Sequence, residues 1–234
     1  MSERRATSII LGAGRGSRLG GPKSLLAWPR SGAPAIGTGR KVVPGSARAH
    51  DDAHVDEIPL AIAHAEARLA AESDRAVVVV RRGHAQKLLA WVAPGIDLLV
   101  SDADDALGAA GSLGVAAHRL ADELAPDSII VITPVDALPA LAATVGALVD
   151  EIDRDAGLVA AKPMHGGRGG HPIAARASLL ALFRDPKPPT LREALAAFSD
   201  QVAEVDVTDA RVLGDLDTPA DVARYLASAP RFLG

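Results

Sequence analysis

Four consecutive valines occupy positions 77–80, directly behind Ala76, with no polar residue to break the run. An apolar stretch without alternation fits a strand covered on both faces, as in the interior of a parallel sheet. The segments 8–11, 96–100, 128–133, 157–161 and 202–207 also read as strands. Helices are expected between them, at 22–27, 58–71, 85–92, 111–124, 139–152, 178–183, 191–198 and 219–226. In the second of these, Ile58, Ile62, Ala65 and Leu69 recur at helical spacing. Strands alternating with helices predict an α/β fold with a mostly parallel central sheet in a three-layer arrangement. Ligands of such sheets bind beyond the carboxyl ends of the strands.

Composition narrows the class. With 234 residues, 48% of them apolar, the chain can bury a full core. A net charge of −4 argues against nucleic acid as a partner, and 3% aromatic residues offer few stacking platforms. Without cysteine there are no disulfides or thiolate metal sites. Residues 1–5 lead into only three large aliphatics, too few for a signal peptide's apolar region. No apolar run approaches the roughly 18 residues that a membrane helix needs. The expectation is a cytoplasmic protein with no membrane partner.

The first strand empties into Leu11-Gly12-Ala13-Gly14-Arg15-Gly16-Ser17-Arg18-Leu19-Gly20-Gly21-Pro22-Lys23. Glycines allow backbone N–H groups to converge and a ligand to approach closely. The fixed cations Arg15, Arg18 and Lys23 suit a polyphosphate. A dinucleotide fingerprint fails here: its third glycine falls on Ser17 in one register and on Leu19 in the other. A Walker loop fails because Pro22 stands where its lysine is required. The bland alternative is a glycine-rich turn with basic surface residues.

The pattern L-x-A-G-x-G-[ST]-R-[ML]-G-x-x-K does fit, with Gly12 at a position that takes Ala or Gly. It resembles the signature of the nucleotidyltransferases related to the molybdenum-cofactor cytidylyl- and guanylyltransferases. The resemblance implies one Rossmann-like domain of the GT-A type over 1–234. It also implies nucleotide contacts from Leu11, Gly12, Ala13, Gly14, Arg15, Gly16, Arg18 and Lys23, with Arg18 and Lys23 as catalytic cations.

Further along, Asp136 follows the strand at 128–133, where a carboxylate faces the ligand crevice. It reads as a Mg²⁺ ligand or as an N-cap of the next helix. The related enzymes carry D-x-P here; this chain has Asp136-Ala137-Leu138-Pro139, one residue longer. Asp215 and Asp217 lie in Gly214-Asp215-Leu216-Asp217-Thr218-Pro219-Ala220-Asp221, which looks like the family's D-x-D-T-P-x-D element. Asp215 is assigned as metal ligand and Asp217 as the second candidate, with helix capping as the alternative. Asp221 reads as a first-turn acid. Gly111 and Ser112 resemble the family's base-and-ribose element, though Ser112 also suits an ordinary helix start. Arg168, Gly170 and His171 of Gly166-Gly167-Arg168-Gly169-Gly170-His171-Pro172 resemble its acceptor loop. Arg81 and Arg82 either neutralise phosphate or are solvated. Residues 28–55 hold four glycines and three prolines without periodicity. They read as an insertion: a lid carrying Arg40, Lys41 and Arg48, or a surface loop.

Together these imply a Mg²⁺-dependent nucleotidyltransferase that moves a nucleotidyl group from an NTP to a phosphate-bearing acceptor and releases pyrophosphate. Gly21-Pro22-Lys23 and G-H-P look more like the cytidylyl branch. CTP and molybdopterin are therefore the favoured substrates, with a molybdoenzyme as recipient of the product. Two rivals stay open: a sugar- or polyol-phosphate nucleotidyltransferase, and a non-catalytic nucleotide-binding or cofactor-delivery module.

Overall fold

The computed structural model describes residues 6–14, 16–30, 56–71 and 73–234. Arg15 and most of the expected insertion, 31–55 with Arg40, Lys41 and Arg48, lie outside the described residues. In chain order the elements are β1 (Ala6–Leu11), β2 (Ala27–Pro29), β3 (Glu57–Pro59), α1 (Leu60–Leu69), β4 (Ser73–Val80), α2 (Arg82–Leu88), β5 (Ile96–Val100), α3 (Gly108–Leu120), β6 (Ile129–Pro134), α4 (Ala142–Arg154), β7 (Ala160–His165), β8 (Arg168–Gly169), β9 (Ile173–Arg176), α5 (Leu191–Ala196), β10 (Val202–Asp206) and α6 (Pro219–Leu226).

Eight strands form the central sheet in the order β10-β7-β9-β6-β1-β4-β5, with β8 paired to β7. The pairs β1–β4, β1–β6, β4–β5 and β7–β10 are parallel, whereas β9 runs against both β6 and β7. The α/β expectation with a mostly parallel sheet is thus met. The valine run shows how the layers form. Val78 and Val80 point into the core shared with α1, and Val77 and Val79 into the core shared with α3. All four are fully buried. Strand geometry sends successive side chains to opposite faces, so an uninterrupted apolar run needs a helix on each side. On β6, Val131 likewise packs with Val145 and Val149 of α4, while Ile130 and Ile132 join the α3 face.

Several boundaries differ from expectation, each for a local reason. The helix expected at 58–71 starts at Leu60, because Trp28 and Ile58 face each other in an antiparallel ribbon of β2 and β3. Both side chains are buried, and Pro59 ends the strand and opens the helix. The helix expected at 22–27 shrinks to a 3₁₀ turn, Lys23–Leu25, since Ala27 already belongs to that ribbon. Residues 28–30 of the expected insertion therefore belong to, or directly follow, a paired strand. The helix expected at 139–152 begins at Ala142. The loop before it is held by buried Asp209, whose Oδ2 accepts from Leu141 N at 2.8 Å and Thr144 Oγ1 at 3.1 Å. A 3₁₀ helix, Ala177–Arg184, replaces the helix expected at 178–183, and the strand expected at 157–161 lies at Ala160–His165. Alanine-rich β9 carried no strand signal of its own; pairing on both sides makes it one.

The chain winds outward from β1 through β4 to β5, then returns to β6 on β1's other side. The carboxyl ends of β1 and β6 therefore flank the switch point, where a crevice opens between diverging connections.

Candidate active site

At the end of β1 the glycines divide the work. Gly12 N donates to Val79 O at 2.7 Å. A β-carbon on Gly12 would stand 3.1 Å from Val80 Cγ1, so this residue lies flat against β4. Gly14 faces open space. Gly16 has φ +63°, and a β-carbon there would lie 1.9 Å from the Gly21 carbonyl oxygen, so only glycine fits. The resulting loop walls a cleft of about 210 Å³. It is lined by Leu11, Gly14, Gly16, Ser17, Arg18 and Lys23, by Gly108, Ala109 and Ser112 of α3, and by Asp136 after β6. A second hollow of about 200 Å³ adjoins it, bounded by Ala13, Ser101, Asp104, Asp105 and Ser112. Ser112 thus borders both hollows and is buried. Gly111 packs instead against the preceding turn, where a β-carbon would meet Leu107 Cβ at 3.0 Å.

Lys23 gathers the acidic side chains. Its Nζ donates to Asp136 Oδ2 at 2.8 Å and to Asp217 Oδ1 at 2.6 Å. Burial disfavours the ammonium, but hydrogen bonds and charge from the two aspartates outweigh that and raise its pKa. Lys23 is therefore a fixed cation throughout the neutral range. Arg18 reaches Asp217 more loosely, at 3.4 Å, and is 73% exposed.

Asp136 and Asp215, nearly eighty residues apart in sequence, are brought together by backbone pairing. Ala137 and Asp215 form an antiparallel bridge, Leu138 N donates to Gly214 O at 2.9 Å, and Leu216 N donates to Asp136 O at 2.8 Å. Burial, then the neighbouring charge of Asp136, push the Asp215 carboxyl above its ordinary range; His171 and Lys23 pull the other way. Asp136 does not cap α4, whose entry Asp209 serves. Asp221 does cap: its Oδ2 accepts from Thr218 N at 2.8 Å and Thr218 Oγ1 at 2.7 Å, closing a capping box at α6. No group of three or more metal-ligating side chains occurs among the described residues.

Beyond Asp215 the crevice widens into a cavity of about 670 Å³ bordered by Arg168, Gly170, His171 and Asp215. Gly170 crosses the chain so closely that a β-carbon would stand 2.0 Å from Val212 O. His171 N donates to that same carbonyl at 2.9 Å. Burial holds the His171 imidazole below its usual pKa, against the pull of Asp215 and Asp136, so the ring is neutral at pH 7. Lys162 and Arg192 add two more cations to the walls, and Ile173, Leu195 and Val212 an apolar floor. Sequence reasoning missed Lys162 and Arg192, since neither sits in a motif and the sheet and α5 bring them together.

Arg81 turns out to be a brace. Its Nε donates to Ala13 O at 3.0 Å and its NH1 to Ala103 O at 2.8 Å, and it pairs with Asp105. It thereby ties the glycine loop to the turn before α3. Arg82 pairs with Asp102 at the surface.

Behind the cleft lies His64, fully buried on α1, with Nε2 donating to the Ala137 carbonyl at 2.9 Å. Burial, then Arg68, push its pKa down to about 3. An unfolded chain binds this proton near pH 6.5 and the folded chain does not, so stability falls as pH drops from about 6.5 towards 3. Urea titrations from pH 7 to pH 4 should show His64→Gln losing less of its stability than the unsubstituted chain. An identical pH slope would remove His64 from this role.

A family model described as the MobA-like NTP transferase domain matches residues 8–205. No curated protein matches the chain. Among solved structures, Rv0371c from Mycobacterium tuberculosis H37Rv is similar at 22% identity and a TM-score of 0.66, over 97% of this chain and 100% of that one. The same protein in complex with manganese aligns at 19% identity and a TM-score of 0.62, over 96% and 100%. A nucleotidyl transferase from Methanothermobacter aligns at 21% and 0.59, over 94% and 95%. No helix among the described residues is long and apolar enough to cross a membrane.

Proposed function

Because the chain belongs to the MobA-like NTP transferase family, and is thereby a nucleotidyltransferase, we propose that it transfers CMP from CTP to the phosphate of molybdopterin. Pyrophosphate is released, and the product would pass to a molybdoenzyme. The observation that carries this reading is the meeting of Lys23, Asp136 and Asp217 beside the glycine loop.

The triphosphate lies along Gly14, Gly16 and Ser17, with Arg18 at the mouth and Lys23 at the base. Ser112 and the turn braced by Arg81 border the hollow for the nucleoside. The acceptor enters through the larger cavity, with Arg168, Lys162 and Arg192 as counter-charges for its phosphate. An oxygen of that phosphate attacks the α-phosphorus, and the bond to the bridging oxygen of pyrophosphate breaks. A phosphomonoester is already ionised near neutral pH, so no side chain need remove a proton; neutral His171 positions rather than titrates. Lys23 and Arg18 neutralise charge that grows on the transferred and leaving groups, which makes this catalysis by position and electrostatics.

The donor set fits magnesium. Asp136 and Asp215 are brought together by backbone pairing, and burial, then the charge of Asp136, raises the Asp215 carboxyl. A hard cation shared with phosphate oxygens relieves that repulsion, and magnesium typically takes only one or two carboxylates. When bound there it would supply charge neutralisation across the phosphate oxygens. Asp217, already held by Lys23 and Arg18, then orients these cations. Manganese in the structure of Rv0371c agrees with a divalent-ion site in such proteins.

The deciding experiment measures pyrophosphate release from CTP, GTP, ATP and UTP with Mg²⁺ and either molybdopterin or a panel of sugar and polyol phosphates. CTP with molybdopterin should be fastest. Faster turnover of a sugar or polyol phosphate would replace the acceptor. Nucleotide binding without release from any pair would replace the enzyme with a binding module.

A further inference from the structure

The last residues of the chain are built into the back of the glycine loop. Ala27 N donates to Arg231 O at 2.7 Å, Leu233 N donates to Leu25 O at 2.8 Å, and Leu26 pairs with Phe232 in an antiparallel bridge. Arg231 forms an ion pair with Glu57, and Lys87 Nζ donates to Gly234 O at 3.0 Å. The tail is thus tied to the 3₁₀ turn Lys23–Leu25 that begins on the central cation. The Phe232 ring, half-buried against the α1 core, lies directly over Gly21: a β-carbon there would stand 2.7 Å from Phe232 Cε2. Gly21 in turn presses its carbonyl oxygen against Gly16, which faces the cleft. Phe232, Gly21 and Gly16 form one column of contact from the tail to the phosphate wall. Residues 231–234 also lie outside the stretch matched by the family model, 8–205.

We propose that the C-terminal segment is a positioning strap for the triphosphate site: Phe232 backs Gly21 and so fixes the curvature of the loop at Gly16 and the approach of Lys23. This rests on the reading of the loop as a triphosphate cradle. Phe232 touches no substrate and acts through the loop.

Inorganic tripolyphosphate is the probe, because its binding is independent of which base or acceptor is correct. Its affinity is measured by calorimetry for the unsubstituted chain, Phe232→Ala, Phe232→Leu, Gly21→Ala and the pair Gly21→Ala/Phe232→Leu. Each is kept well below its own thermal midpoint. Phe232→Ala should weaken binding about tenfold, and Phe232→Leu, which keeps most of the bulk, by about twofold. Gly21→Ala should also weaken it about tenfold, because its methyl group collides with the ring. Adding Phe232→Leu to Gly21→Ala should recover part of that loss, since the collision is relieved; this non-additivity is what a purely stabilising tail would not produce. Unchanged affinity in Phe232→Ala, or effects that simply multiply in the pair, overturns the strap and leaves the proposed function standing. Should Phe232→Ala not fold, the Gly21→Ala pair carries the decision. If the unsubstituted chain does not bind tripolyphosphate, the triphosphate reading falls and the strap with it.

Discussion

Lys23→Ala should lower turnover by about a thousandfold, ~4 kcal/mol of transition-state stabilisation, while the fold persists. The size follows from position. The Lys23 side chain is 13% exposed and its Nζ hydrogen-bonds two carboxylates in the cleft, so its charge acts with little screening by water. The fold should persist because the stranded partners, Asp136 and Asp217, are 35% and 37% exposed and remain hydrated. Lys23→Arg is not a conservative control: a planar guanidinium cannot place one donor between two carboxylates as an ammonium does. Steady-state pyrophosphate release, paired with a thermal melt, checks both halves. An unchanged rate with an intact melt would remove Lys23 from the chemistry.

Asp136→Asn should raise the Mg²⁺ concentration for half-maximal activity at least tenfold, ~1.4 kcal/mol of metal affinity. The amide keeps the volume and one acceptor oxygen but gives up the charge. Backbone pairing with the 214–216 segment is untouched, so Asp215 keeps its place beside the site. Asp217→Asn should raise the metal requirement less, because Lys23 and Arg18 already engage that carboxylate. Activity titrated against Mg²⁺ for the two variants separates ligand from orienting residue. Equal metal dependence in Asp136→Asn and the unsubstituted chain would leave Asp136 as an anchor for Lys23 alone.

The parts of the molecule legible in the sequence are those whose chemistry is local. The valine run declared a doubly covered strand because period-two geometry leaves no other use for it. Gly14 and Gly16 declared an open loop, and Thr218-Pro219 with Asp221 declared a helix start that the structure reproduces from Pro219 to Leu226. What stayed hidden depends on distant partners. Antiparallel β9 is a strand only because β6 and β7 flank it. Arg81 read either as a phosphate partner or as a solvated cation, and is tied instead to Ala13, Ala103 and Asp105. Asp209 caps a helix nearly seventy residues upstream, and its charge faces Arg68, whose pKa burial pushes down to about 10. Leu60 rather than Ile58 starts α1 because Trp28 claims Ile58 across the ribbon, a choice that helical spacing alone does not contain.

That ribbon also sets how this protein tolerates change. Beyond Pro29 and before Glu57, Arg30 N donates to Asp56 O at 2.8 Å, and the Arg30 guanidinium holds both Asp56 and Glu66. The two ends of segment 31–55 are thus pinned to one another before the segment begins. Doubling or halving the chain between such posts alters closure entropy by only about 0.6 kcal/mol. Lineages could therefore rewrite this stretch, in length and in charge, without disturbing the ribbon that anchors its two ends.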